Sequence, residues 1–204
     1  MSDGVIKGSA MWCHLDATEE FNGVDTNKHT ITLQPSVEDM QNILAEAKTV
    51  WEEFAEKLKG KRLQGEPNLG SYKEDDDGNA TIKFVSTAHV KTKTGKEYDK
   101  VVPVFDGNGK PVSRKIKGSI GNDSIVAIAY QFYPYYNTSK NFGVSFRLDA
   151  VQLIKYIPYG DASAESFGFA QEKNAFYSTA FVAEDEEVEN VDVPFTDGDD
   201  GEDF

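Results

Sequence analysis

The chain has 204 residues, 39% of them hydrophobic and 12% aromatic, with 21 basic and 35 acidic side chains and a formal net charge of −14. That is the size of one domain, or of one domain with an appendage, and the aromatic content excludes a wholly disordered chain. No run approaches the ~20 apolar residues of a membrane span, and the single Cys13 excludes an internal disulfide or a cysteine-rich zinc framework.

The beginning of the chain, MSDGVIKGSAMWC, lacks the basic-then-apolar order of a secretory leader. With one cysteine this predicts a reducing, cytoplasmic setting. Residues 9–15 (SAMWCHL) and 29–33 (HTITL) carry the aromatic and β-branched side chains of strands, and the turn-rich FNGVDTN lies between them. A helix follows. Pro35-Ser36 opens it, Ser36 and Asp39 suit a capping box, and Val37, Met40, Leu44, Ala47, Trp51, Phe54 and Leu58 are spaced alternately three and four apart. Gly60 is its natural stop.

Residues 61–79 are rich in Gly, Pro and Asp and are expected to be loop. Strands are then predicted at 80–87, 98–105, 125–132 and 142–156. Asp106-Gly107-Asn108-Gly109 supplies a tight hairpin turn. In the last strand Val144, Phe146, Leu148, Ala150 and Ile154 share one parity, and Val151 and Leu153 break it, as a bulge or a change of covered face would. Five or six strands, one helix and no βαβ alternation predict a mainly β fold: a small antiparallel OB-fold-like barrel with one inserted helix. An SH3-like barrel or a β-sandwich satisfies the same inventory.

Charge divides this chain more sharply than hydropathy. Residues 1–160 carry 20 bases and 21 acids, whereas 161–204 carry one base, Lys173, and 14 acids. The expected organisation is a body at 1–160, an aromatic connecting segment at 161–183 and a disordered acidic tail at 184–204, where 11 acids meet no base. Residues 81–160 alone hold 12 bases against 5 acids. A basic segment joined to an acidic tail describes a molecule able to compete with its own anionic ligand.

Catalytic and metal motifs are mostly excluded. From Asp75, position 6 of a calcium loop is Ala80 instead of Gly and position 12 is Ser86 instead of Glu. Gly95-Lys96 lacks the preceding Gly of a P-loop, the histidines 14, 29 and 89 are isolated, and no nucleophile elbow is present. No cofactor, no metal and no catalysis are expected, although scattered carboxylates of a two-metal nuclease would leave no local motif.

Bases and aromatics interleave instead. Lys91, Lys93, Lys96 and Lys100 cluster, Arg114, Lys115 and Lys117 follow the predicted hairpin, and Tyr133, Tyr135 and Tyr136 surround Pro134 ahead of Lys140 and Arg147. Single-stranded nucleic acid needs both parts: cations track phosphates, and flat rings stack on bases whatever their sequence. Tyr130, Phe132 and Phe146 are expected to alternate into the core, and the strand is expected to end at Pro134. For Tyr133, Tyr135 and Tyr136 around it, an exposed stacking platform and a place in the core are the two readings. The C-terminus VDVPFTDGDDGEDF offers a docking peptide: Asp199, Asp200, Glu202 and Asp203 for a basic rim and Phe204 for a pocket. A rival from another class is an acidic interaction protein, a DNA mimic that never binds DNA.

The tail ending in Asp-Phe resembles those of single-stranded DNA-binding proteins of the T-odd podophage replication type. Similar features run through the body in matching order: Gly8-Ser9-Ala10, Thr30-Ile31-Thr32-Leu33 before a Pro-opened helix, the 104–109 turn, Pro134-Tyr135 with Asn137, Gly143-Val144-Ser145, and residues 148–153. The resemblance implies an OB-fold that coats single strands in phage replication, recombination and repair in the bacterial host cytoplasm, and that promotes annealing. It also implies a homodimer, and a tail that contacts the phage DNA polymerase and primase-helicase and occupies the DNA groove when DNA is absent. Tyr135 falls on the family's post-strand aromatic and Phe204 on its terminal one. The family continues there with a basic residue and Trp, where this chain has Tyr136 and Asn137.

Overall fold

Alternating apolar positions in five long segments pair into a ring. The computed structural model describes residues 3–76, 78–92 and 94–159. In chain order the elements are β1 (Gly4–His14), β2 (Glu20–Phe21), β3 (Val24–Asp25), β4 (Lys28–Pro35), α1 (Val37–Ala55), β5 (Asn68–Leu69), β6 (Lys73–Glu74) and β7 (Ala80–Thr87). They continue with β8 (His89–Lys91), β9 (Glu97–Asp99), β10 (Val104–Phe105), α2 (Arg114–Gly118), β11 (Ile125–Thr138) and β12 (Asn141–Lys155). β1 runs antiparallel to β4 and β11, β4 to β7, and β11 to β12. A short parallel contact, Phe84 with Phe146 and Val85 with Arg147, closes β7 onto β12. This five-stranded ring is an OB-fold barrel.

Inside the ring lie Ile31, Leu33, Ile82, Phe84, Val126, Ile128, Val144, Phe146 and Leu148, all almost without solvent contact. Phe84, Tyr130, Phe132 and Phe146 meet edge-on or tilted, with centroids 5.2–5.7 Å apart for adjacent pairs, a favourable geometry beyond simple burial. Tyr130 and Phe146 are thus core residues, and Phe132 packs against the core. α1 lies against β11 and β12, burying Met40, Ile43, Ala47 and Trp51, with Trp51 stacked on Phe142 at 5.2 Å. The helix face is rotated slightly from the expected stripe. Ile43 is buried and Val37 is 75% exposed, because Val37 sits in the first turn ahead of the docked surface. Ser36 caps the helix, accepting from Asp39 N at 3.1 Å while its hydroxyl donates to the Asp39 carboxylate at 2.8 Å.

Four local expectations are corrected. Residues 98–105 are not one strand: β9 and β10 are separated by an extended link ending at Pro103, which has no amide to give a ladder. The tight turn at Asp106–Gly109 does form: Phe105 and Pro111 pair antiparallel across it, Val112 N donates to Val104 O at 3.0 Å, and the Asp106 carboxylate accepts from Asn108 N and Lys110 N, both at 2.8 Å. β8–β9 is a further hairpin. A second helix, α2, capped by Ser113, had not been foreseen. The 61–79 segment contributes β5 and β6. Finally, β11 does not end at Pro134. Phe132 N turns away from β12 to the Asp3 carboxylate (2.7 Å), so Pro134, two residues on, directs its missing donor to the edge left free where β1 stops.

The broken alternation in β12 is a bulge. Ala129 pairs with Ala150 but Tyr130 pairs with Leu148, so Asp149 is the additional residue and inward parity moves from Leu148 to Val151. Beyond the barrel edge β5 passes over Gly143, whose φ is 147° and whose ideal Cβ would stand 2.0 Å from Asn68 O. Residues 160–204, including the connecting segment and the acidic tail, lie outside the described residues.

Candidate nucleic-acid interface

A groove of about 760 Å³ runs along the outside of β7 and β12, between the β8–β9 hairpin and the far end of β11. Its cations are Lys28, Lys83, Lys91, Lys100 and Arg147, and its tyrosines are Tyr98, Tyr133 and Tyr135. No Asp or Glu is among its described lining residues. Amide and hydroxyl groups of Asn68, Asn137, Asn141 and Ser145 complete it. Such a lining meets both requirements of single strands, positive charge for phosphates and rings for bases.

The placement follows from strand period. In β11, Tyr133 and Tyr135 share the outer face because side chains alternate. Tyr136 takes the other face and packs against the hydrophobic core, its hydroxyl donating to Arg62 O at 3.4 Å and Lys61 Nζ lying 6.0 Å from its ring centre. Arg147, opposite Val85, lays its guanidinium 3.4 Å from the centre of the Tyr133 ring, a cation–π contact that leaves the other ring face available. Tyr133 is 46% exposed. Burial raises the Tyr135 phenol above its ordinary value, so it stays protonated and able to donate at neutral pH.

The β8–β9 hairpin is held as one wall. Asn27 makes two bonds to the backbone of His89: its carbonyl oxygen accepts from His89 N at 2.6 Å and its amide donates to His89 O at 2.9 Å. Across the hairpin Lys91 pairs with Glu97 at 2.7 Å and His89 Nδ1 with Asp99 at 2.9 Å. Deeper in the groove Lys83 pairs with Glu19. Lys28, Lys100 and Arg147 make no ion pair among the described residues.

Of the residues singled out in the sequence, Lys91, Lys100, Tyr133, Tyr135 and Arg147 come together here. Lys96 sits at the exposed hairpin turn, bonded through its backbone to Thr92. Lys140 is exposed in the turn joining β11 to β12. Arg114 and Lys117 line a separate depression with Asp16, Asp25 and Asp99, and Arg114 Nε binds Asp16 at 2.8 Å. There Asp25 is held below its ordinary value, first by the Asn27 amide and then by Thr18, while burial lowers the Lys117 ammonium. Lys115 is exposed on α2. Lys93, Asp199, Asp200, Glu202, Asp203 and Phe204 lie outside the described residues.

Lys28, Lys83 and Tyr98 were missed. Lys83 carried a usable signal, being the outward residue between inward Ile82 and Phe84. Lys28 and Tyr98 had none, since only folding brings their strands to this groove. Among the described residues, no three His, Cys, Asp or Glu side chains are grouped to hold a metal ion, and Asp75 caps its own turn by accepting from Asn79 N at 2.7 Å. No helix among the described residues is long and apolar enough to cross a membrane.

This chain is similar to the crystal structure of gp2.5, a single-stranded DNA-binding protein encoded by bacteriophage T7, at 20% identity and a TM-score of 0.58, covering 80% of this chain and 98% of that one. It is also similar to the single-stranded DNA-binding protein from bacteriophage Enc34 in complex with ssDNA, at 16% identity and a TM-score of 0.54, covering 77% and 90%. No curated protein sequence matches it. At such identities these likenesses carry the fold. The family itself is carried by sequence: the profile described as single-stranded DNA-binding protein, bacteriophage T7, matches residues 23–156, which span the barrel from β3 to the end of β12. The chain therefore belongs to the bacteriophage T7 family of single-stranded DNA-binding proteins.

Proposed function

We propose that the groove binds single-stranded DNA without sequence preference and without catalysis, and that the protein coats exposed strands during phage replication and recombination. The observation that carries this is the lining: among its described residues it has five cations, three tyrosines and no carboxylate, in a protein whose formal charge is −14. Stacking on Tyr98, Tyr133 and Tyr135 is indifferent to base identity because every base has a π-face. A duplex reader needs an element to enter a groove. α1 has its apolar face committed to the barrel, and α2 spans five residues.

In the same reading the body promotes annealing and forms a homodimer. Residues 184–204 compete with DNA for the cationic groove and, through Asp199, Asp200, Glu202, Asp203 and Phe204, dock the phage polymerase and primase-helicase. Arg114, Lys115, Lys117 and Lys140 belong to a weaker outer field that steers DNA inward. Family membership and the charge asymmetry of the sequence support these points.

Anisotropy titration of labelled oligo-dT with the full chain and with residues 1–183 tests the reading. Truncation removes 11 acids and changes the formal charge from −14 to −3, so the shortened protein binds more tightly, most of all at low salt where screening is weakest. Equal affinities at low salt would exclude tail competition. Absence of binding by both forms would exclude the groove reading in favour of a DNA mimic.

A further inference from the structure

Ser71 and Lys83 line the groove and also line a second depression, of about 470 Å³, on the outer side of β1, β4 and β7. Trp12, Thr32, Lys73 and Thr81 line this depression too. Met11, Thr32 and Lys83 occupy one row across the three strands, so Trp12 stands one residue from the row that carries the groove's lysine.

Trp12 is held in an unusual state. It is 58% exposed, and its φ of 47° lies in the left-handed region that a bulky side chain enters only under constraint. That constraint is local. The β1–β4 register shifts between Met11 and His14, and Trp12 N donates to Asn122 Oδ1 at 3.0 Å. Ala10 N and Ala10 O bond Ser124 O and Asp123 N at 2.8 and 3.0 Å. These bonds thus hold the Trp12 backbone so that its large flat side chain is exposed, away from the core that takes its other tryptophan, Trp51.

We propose that Trp12 is a second base-stacking platform, and that the DNA track continues from the tyrosine groove over Lys83 and Ser71 to the outer face of β1. The proposal rests on the groove reading and adds a subsite to it. The occupant is a base, because Glu19 and Glu20 line the same depression and repel a free anion or an acidic peptide seated there. A stacked base is neutral, and its phosphates lie outward toward Lys73 and Lys83. Glu19 already pairs with Lys83, so a passing phosphate competes with that carboxylate.

The test uses the full chain and oligo-dT from about 4 to about 16 nucleotides, the range of site sizes for one OB-fold. Anisotropy follows binding, and indole emission, taken as the difference between wild type and Trp12→Phe, follows the platform. The expected result is a quench of Trp12 that grows with oligonucleotide length per bound protein. Trp12→Ala, with its thermal transition retained, is expected to bind the longest oligonucleotide at least about fivefold more weakly, the lower end for one stacked base. A bound 16-mer with undiminished Trp12 emission, or equal affinity of Trp12→Ala and wild type for it, would overturn the subsite and leave the groove reading standing. Failure of every length to bind would overturn both.

Discussion

Salt dependence distinguishes cations that line the groove from those that merely lie near it. Each phosphate neutralised on a single strand contributes about −0.7 to the slope of log affinity against log salt. Five groove cations set the steep limit, a slope of about −3.5. Lys83 and Lys91 already have carboxylate partners, Glu19 and Glu97, and release fewer ions, so the three cations with no ion pair among the described residues set the shallow limit of about −2. A fourfold rise in salt then weakens binding roughly 20- to 130-fold. Lys100→Gln removes one of these three groove cations and flattens the slope by about 0.7. Lys115→Gln, on α2 outside the groove, leaves it within error of wild type. Anisotropy titrations of oligo-dT with residues 1–183, which lack the competing acidic tail, at four salt concentrations measure both. Equal flattening by the two variants, or none by Lys100→Gln, would refute the argument that the groove carries the phosphate contacts.

Neighbouring tyrosines are expected to separate by strand parity: Tyr135→Ala weakens oligo-dT binding by the ~1–3 kcal/mol of one stacked base and keeps its thermal transition, whereas Tyr136→Ala lowers the melting temperature and leaves the affinity of the folded fraction near wild type. Burial pushes the Cys13 thiol from 9.0 to about 12 and, as the largest cause, the Tyr130 phenol from 10.0 to about 12. The folded chain therefore keeps protons that the unfolded chain releases, so these two groups leave the urea midpoint unchanged from neutral pH to about pH 8 and lower it as pH rises toward 12. Cys13→Ala reduces that fall, and a flat wild-type profile would contradict the burial of both groups. Gly143→Ala costs at least the ~1–3 kcal/mol of backbone strain, because its Cβ meets Asn68 O, and a urea titration with an unchanged midpoint would show that β5 yields.

Much of the barrel was legible because strand period is a short-range property. The inward set Val144, Phe146 and Leu148, the outward Arg147, and the α1 face with Met40, Ala47 and Trp51 follow from spacing alone. Tyr136 shows how one local misreading spreads. Ending the strand at Pro134 left Tyr133, Tyr135 and Tyr136 equivalent, whereas continuing it assigns them to opposite faces. The proline is tolerated because β1 stops opposite Tyr130, which nothing near residue 134 encodes.

The sequence by itself determined that a charge-balanced body with a basic, aromatic stretch at 81–160 is joined to an acidic extension, and that the body is mainly β with one long helix. Which cations act together was decided only by tertiary structure. The parallel contact of β7 with β12 brings Lys83 to Arg147, and Asn27 fastens the β8–β9 hairpin beside them. Lys115 and Lys117, equally basic in sequence, are carried on α2 away from that groove. Side-chain alternation is settled between adjacent residues. Closing a ring is settled between strands some 60 residues apart, where pairing and packing, not composition, select the neighbour.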